Sequence, residues 1–543
     1  MGKSKADVRE QRSIADRPLL LLAVLFSAIF LLHAPLLRLP YFWDEAGYFV
    51  PAARDLLLTG DPIPHTTLSN AHPPLVMAWL AMWWKLSNYT PAVTRTAMLL
   101  LSAFALLGVF RLARRVANTS VATGATVLTA LYPVFFAQSS LAQLDIAVAA
   151  LTIWGVAMHV EGRPVARTVF LALAPLAKET AIATPLALFG WEILCRLIPA
   201  ARQKQWCMPR GSILRTSSFL LCGVPLAAWY GYHYLSTGFL FGNPEYLRYN
   251  VTATLSALRI AIAFVQRLWQ AFGYMNLFVL TGAMLLAMRL PPLVDEAGER
   301  KRISIPVQLI FGVLVLAHAV EYAVLGGAVL ARYMLPVVPL VIIVAVSTLY
   351  RRVRNWPVWV AAVAVAFLLA LVVNPPWRIA PEDNLAYSDF VRLHKEAAVL
   401  IERKYTDDKI LTAWPGSDEL NRPFLGYVTR PLTVVRVENF TAQQVIAAAR
   451  QRESFDVAFV FSTKYEPARN FFNRFEWWNR MQERYFDYHR DLPPELIAQM
   501  LGGRIVWQQN RGGQWAAIIE LDKIRNAGLE QYELQSPSRR PRL

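Results

Sequence analysis

Pro18-Leu-Leu-Leu-Leu-Ala-Val-Leu-Phe-Ser-Ala-Ile-Phe-Leu-Leu-His-Ala-Pro-Leu-Leu37 holds no Asp, Glu, Lys or Arg, and is followed after Arg38-Leu39-Pro40 by Tyr41-Phe42-Trp43-Asp44-Glu45-Ala46-Gly47-Tyr48-Phe49. The first stretch is long enough to span a bilayer. The second sets two adjacent acids, ringed by aromatics, at the end of that span. Acids held beside a membrane are expensive to keep, which marks them as functional candidates.

The same pattern of long apolar runs repeats along much of the chain. Of 543 residues 55% are hydrophobic and only 17% charged, less charge than a soluble chain of this length would carry. The fold class predicted is mainly α: a polytopic transmembrane helical bundle of about eleven spans with a C-terminal soluble α/β domain.

The net charge of +17 does not indicate nucleic-acid binding, because the bases lie in clusters between apolar runs. These are Lys3/Lys5/Arg9/Arg12/Arg17, Arg111/Arg114/Arg115, Arg163/Arg167, Arg196/Arg202/Lys204/Arg210/Arg215, Arg300/Lys301/Arg302 and Arg351/Arg352/Arg354. Short loops rich in Lys and Arg mark the cytoplasmic side. On that rule residues 1–17 are a cytoplasmic leader before a retained first span, and 18–375 form the membrane domain. Within it, 39–90 is a long external loop and 236–265 a second one. Basic loops flank 166–195, so this stretch crosses twice, as two short helices meeting near Lys178-Glu179. Spans at about 271–289, 303–325, 333–350 and 356–375 complete the bundle. Cys195, Cys207 and Cys222 fall at span ends or inside, where no disulfide is expected.

Beyond Asn374-Pro375-Pro376-Trp377 the composition changes. Short β-like runs (Ile410-Leu-Thr-Ala-Trp414, Leu432-Thr-Val-Val435, Val457-Ala-Phe-Val-Phe461, Trp515-Ala-Ala-Ile-Ile519) alternate with helical patterns at 387–404 and 441–452. Residues 376–535 therefore read as an extracytoplasmic α/β domain, and 536–543 as a disordered tail.

Candidate residues cluster at the outer membrane boundary. A carboxylate at Asp44 or Glu45 suits a general base acting on a hydroxyl; starting an interfacial helix is the alternative. His72 follows Ala71 and is held by Pro73-Pro74, where a simple turn is the alternative. Asp145 is an acid at the start of an apolar span, as a site residue or a structural ion pair. Lys178, at the helix break, needs a counter-charge from Glu179, Asp145 or a substrate phosphate. Arg332-Tyr333 opens the penultimate span, where snorkelling is the alternative. Glu321, His318 and Arg248 are further candidates. Cations at Lys178 and Arg332 suit a lipid-linked phosphate leaving group, and an acid suits an incoming hydroxyl. No metal ligand set is spaced in the sequence; a divalent cation held by the acids is the one cofactor left open.

Asp44-Glu45-Ala46-Gly47-Tyr48-Phe49, with Ala52-Ala53-Arg54-Asp55-Leu56-Leu57-Leu58-Thr59-Gly60 and His72-Pro73-Pro74-Leu75, resembles the first external loop of the polyprenyl-phosphate-sugar-dependent membrane glycosyltransferases. That group has the GT-C fold, and the likeness is to glycosyltransferase family thirty-nine, which holds protein O-mannosyltransferases and aminoarabinose transferases. Asp145, Lys178 and Arg332-Tyr333-Met334-Leu335-Pro336 match later elements more loosely, and Lys178-Glu179 stands where many relatives have Lys-Gly-Pro. The resemblance covers about 18–375. It implies an inverting transferase in a bacterial inner membrane, active on the periplasmic face. Its donor would be a polyprenyl-phosphate-linked monosaccharide, and its acceptor a hydroxyl of an envelope lipid, glycan or protein. Asp44 would be the base with Glu45 beside it, Asp145 would shape the pocket or fix a cation, and Lys178 and Arg332 would hold the phosphate. Two other readings are a transporter or flippase of a lipid-linked saccharide, and a membrane-anchored sensor.

Overall fold

The computed structural model describes residues 14–198, 205–208, 213–296, 298–465, 467, 474–486 and 488–522. The expected tail at 536–543, and residues 1–13 of the expected leader, lie outside these residues. Two compact units form: Met1–Arg392 with Lys464–Tyr488, and Leu393–Thr463 with His489–Leu543.

The first unit is helical. The first apolar run becomes α1 (Pro18–His33). The loop behind it folds into α2 (Val50–Thr59) and α3 (Leu75–Leu86). Next come α4 (Pro91–Val116), α5 (Thr119–Leu131), α6 (Pro133–Gln138) and α7 (Asp145–Val160). Helix starts follow local chemistry: Thr90 and Asn118 cap α4 and α5 by accepting from Val93 N and Val121 N, and Pro91 occupies the first position of α4. Then α8 (Pro164–Ala177) and α9 (Ala183–Leu197) meet at Lys178 and a 3-10 turn, Glu179–Ile182, as expected for two short helices joined at a break.

After α10 (Val224–Thr237) the structure departs from the sequence reading. Residues 236–265, expected as loop, hold α11 (Pro244–Asn250) and the first half of α12 (Ala257–Phe272). The buried face of α12 carries Arg259, Arg267 and Gln270, which lower its hydropathy and hide the helix. These side chains serve the irregular backbone nearby. Arg259 donates to the carbonyls of Gly326 and Gly327, Arg267 to those of Tyr322 and Leu330, and Gln270 to that of Val329. Carbonyls without a ladder partner are tolerated at membrane depth only when satisfied in this way.

The unit continues with α13 (Leu277–Ala287), shorter than the span expected there, then α14 (Ile305–Val324), α15 (Val338–Arg352) and α16 (Trp356–Val372). Among the described residues five helices are long and apolar enough to cross a membrane, or six if the segments Pro244–Thr254 and Ala257–Phe272, bent by 90°, form one span. Six more apolar helices are shorter, so a count of about eleven rests on them. Cys195 and Cys207 form a disulfide, contrary to expectation. Their Cα atoms approach to 5.9 Å, within bridging range, and neither sequence spacing nor the charge rule reports that approach.

The second unit holds a five-stranded sheet. β1 (Ile410–Ala413) pairs in parallel with β2 (Val434–Val437) and β3 (Val457–Phe461). β3 pairs antiparallel with β5 (Gln514–Leu521), and β5 with β4 (Gly503–Arg511), giving the order β2-β1-β3-β5-β4. β1 and β3 are buried along their whole length, which matches sequences that are apolar apart from Thr412.

Candidate functional site

Asp44, Asp145, Lys178 and Arg332 converge although 288 positions separate the first from the last. Each sits at a helix end or break. Asp44 precedes the π-helical turn Glu45–Phe49, and Trp43 just before it has φ of 45°. A bulky residue in that region is strained, and such strain gathers at functional sites. Asp145 is the first residue of α7, where the helix dipole favours an acid. Lys178 is the extended residue between α8 and its following turn. Arg332 lies in the 3-10 turn Ala331–Met334 ahead of α15.

Arg332 is the hub. Its Nη2 lies 2.5 Å from Asp44 Oδ2, its Nε 3.1 Å from Asp145 Oδ2 and its Nη1 2.6 Å from Glu382 Oε1; Nη1 also donates to Gln143 Oε1. A planar guanidinium can serve several carboxylates at once, where an ammonium cannot. Lys178 Nζ donates to the other oxygen of Asp145 at 2.8 Å and stands 3.9 Å from the Tyr333 ring. Tyr333 in turn stacks on Tyr322 at 4.9 Å. The Asp44 side chain is 33% exposed, against 5% for Asp145 and 4% for Glu382, so of the three carboxylates on Arg332 Asp44 is the one that an incoming molecule can reach.

Beside this cluster lies a cavity of about 350 Å³. Lys178, Tyr333, Glu179 and Tyr246 line its polar side, and residues such as Leu226 and Phe241 its apolar side. His72 stands behind it, with Nδ1 2.9 Å from Glu179 Oε2 and Nε2 3.3 Å from the Tyr246 hydroxyl. Glu321 also lines the cavity, whereas His318 is buried and bonded through Nε2 to Thr184 Oγ1, holding α14 against α9.

Two candidates are not brought in. Glu45 points away from its neighbour Asp44 and is enclosed with Arg95, both side chains being fully buried at 3.2 Å. The backbone N–H groups of Phe42 and Ala142 donate to its two oxygens, so the structure does not bring Glu45 to Arg332 with Asp44. Arg248 is exposed on α11 and does not line the cavity.

Glu382 and Gln143 escaped the sequence reading. Glu382 lies in Pro381-Glu382-Asp383 after the last helix of the bundle, a stretch whose composition resembles a soluble domain. Gln143 stands two residues before Asp145, and that proximity was its only signal. Burial pushes the Glu382 carboxyl up to about 7 against the opposing pull of Arg332, with Asp44 and Asp383 adding to the rise. Burial likewise pushes Asp383 up to about 6, although the Tyr274 hydroxyl donates to it at 2.6 Å. Among the described residues no group of three or more His, Cys, Asp or Glu could hold a metal ion.

No family model and no curated protein sequence matches the chain. Solved structures do. ArnT from Cupriavidus metallidurans bound to undecaprenyl phosphate superposes with a TM-score of 0.53 at 16% identity, over 91% of this chain and 97% of that one. Its apo form gives 0.51 at 15% identity, over 93% and 98%. The archaeal oligosaccharyltransferase AglB from Archaeoglobus fulgidus, in complex with an inhibitory peptide and a dolichol-phosphate, aligns at 0.45 and 12% identity over 92% of this chain and 74% of that one. From the superposition on ArnT over nearly the full length of both chains, this protein has the GT-C fold: a bundle of apolar helices followed by a small sheet domain.

Proposed function

We propose that the protein is a membrane glycosyltransferase that moves a monosaccharide from a polyprenyl-phosphate-linked donor to a hydroxyl of an envelope lipid, glycan or protein, with inversion, on the external face of a bacterial inner membrane. The observation that carries this reading is one accessible carboxylate, Asp44, held beside two buried cations, Lys178 and Arg332. The GT-C fold supports it, as does the undecaprenyl phosphate bound to ArnT.

In this reading the donor phosphate takes up Lys178 and Arg332, which frees Asp44 from its ion pair. Asp44 accepts the proton of the acceptor hydroxyl. The oxygen attacks the anomeric carbon as the carbon–oxygen bond to phosphate breaks, and the phosphate leaves with one more negative charge. Fixed cations aimed at that growing charge are the main electrostatic contribution. Asp145 bridges Lys178 and Arg332 and so sets their spacing.

The test is mass spectrometry of envelope lipids, glycans and glycoproteins from deletion cells carrying the wild type or Asp44→Asn. One sugar missing from one class of molecule, restored by the wild type alone, is the expected result. An unchanged envelope, with labelled lipid-linked saccharide crossing sealed vesicles untransferred, would replace the reading by transport.

A further inference from the structure

At the far end of α4 from Arg95 lies a second cavity, of about 440 Å³, between α1, α4 and α7. Sixteen to twenty residues separate Arg95 from Arg111 and Arg115, a rise of about 24–30 Å along a helix and close to the thickness of the hydrocarbon layer. Since Arg95 is paired with Glu45, next to Asp44, this cavity belongs to the opposite boundary of the membrane from the candidate site.

Arg111, Arg114 and Arg115 line it, above an apolar wall formed by Leu21, Leu107 and Phe110. Two of the arginines are fixed. Arg111 grips Glu161 with two bonds of 2.6 and 2.7 Å and lies 5.4 Å from the Trp154 ring. Arg114 donates to the Ala15 carbonyl at 2.6 Å and to Asp16 at 2.5 Å. Three guanidinium groups thus face two carboxylates in the lining, and Arg163 adds a further cation on the second oxygen of Glu161. Among the described residues no carboxylate lies within ion-pair distance of Arg115. A solvated basic loop needs neither fixed guanidinium groups nor an apolar wall beneath them.

We propose that this cavity binds the phosphate headgroup of an anionic phospholipid, with the first part of its acyl chains on Leu21, Leu107 and Phe110. Basic pockets between transmembrane helices recognise such headgroups, and an apolar wall has no use for a free anion.

Native mass spectrometry of the purified full-length protein, titrated with phosphatidylglycerol or phosphatidylcholine, tests it. The wild type should hold one phosphatidylglycerol more firmly than phosphatidylcholine. Each arginine removed should weaken that binding about fivefold, in Arg115→Gln and again in Arg114→Gln/Arg115→Gln, with phosphatidylcholine unaffected. Arg354→Gln, a basic residue outside the cavity, should change nothing. Equal retention in all variants overturns the site, and an Arg354→Gln loss as large as that of Arg115→Gln reduces it to general surface charge. Displacement of the lipid by inorganic phosphate would make the ligand a free anion and also overturns it. If the double variant fails to fold, Arg115→Gln, which breaks no ion pair, decides alone.

Discussion

Arg332 Nη2 and Asp44 Oδ2 lie 2.5 Å apart, joining the turn before α15 to the turn before α2. The accessible carboxylate of the site is therefore clamped by a buried cation, and that cation is shared with Asp145 and Glu382. An anion that competes for Arg332 releases Asp44, so binding and activation of the base are one event in the proposed reaction.

Asp44→Asn should fold and bind carrier phosphate while transfer falls by at least about a hundredfold, the lower range for loss of a general base. Turnover assays with labelled donor check this. Wild-type turnover from that variant removes Asp44 from the mechanism.

Arg332→Lys keeps the charge but cannot reach three carboxylates. Glu382, left unpaired and buried, should destabilise the protein by about 3–5 kcal/mol, and transfer should be lost as well. Thermal unfolding in detergent gives the first quantity; an unshifted Tm would mean that a single ammonium rebuilds the clamp.

Glu45→Gln should act on stability rather than chemistry. It breaks a fully buried pair with Arg95, again a matter of about 3–5 kcal/mol. The fraction that remains folded should keep its KM and its turnover per folded molecule. A kcat that collapses at unchanged Tm would return Glu45 to the site.

Glu382 and Asp383 should give stability a pH slope. Their folded values are raised to about 7 and about 6, above the value of about 4 for a free carboxyl. The stability they contribute is thus fully present below about 4 and is lost as pH rises from there to about 6 and 7. Tm of the wild type should fall across that window relative to Glu382→Gln/Asp383→Asn. Parallel curves would show that neither acid is the source.

Gly155→Ala should disturb the site from a distance. A methyl group on Gly155 would strike the Leu171 side chain, forcing α7 and α8 apart. Overpacking of this kind costs about 1–3 kcal/mol. Because α8 leads into Lys178 and α7 begins at Asp145, KM for the donor should rise together with the loss of Tm. A fall in Tm with unchanged KM would show that the two helices give way elsewhere.

Much of this was legible in the chain. Apolar runs separated by bases marked α1, α4 and α14, and the break at Lys178-Glu179 was placed where α8 ends. Asp44, Asp145, Lys178 and Arg332 stood out because charge at an apolar boundary is costly. What stayed hidden depended on partners in space. Glu45 and Asp44 are adjacent in sequence, and only the position of Arg95 sends one inward. α12 was concealed by arginines that serve carbonyls of another segment. β4 alternates half-buried and exposed positions as an edge strand, but its sequence does not alternate, and its Gln508-Gln509-Asn510 run carries little strand signal.

The helical unit is not continuous in the chain: it takes back Lys464–Tyr488 after the first three strands have been made. Arg259 on α12 donates to the carbonyl of Tyr485, 226 residues later. At ordinary rates of synthesis that interval is on the order of ten to forty seconds. During it a buried arginine lacks one of its acceptors while the ribosome is still making the sheet. The helical unit is therefore completed only after the first three strands of the sheet have been made, and a chain stopped before Lys464 lacks the segment whose carbonyl accepts from Arg259.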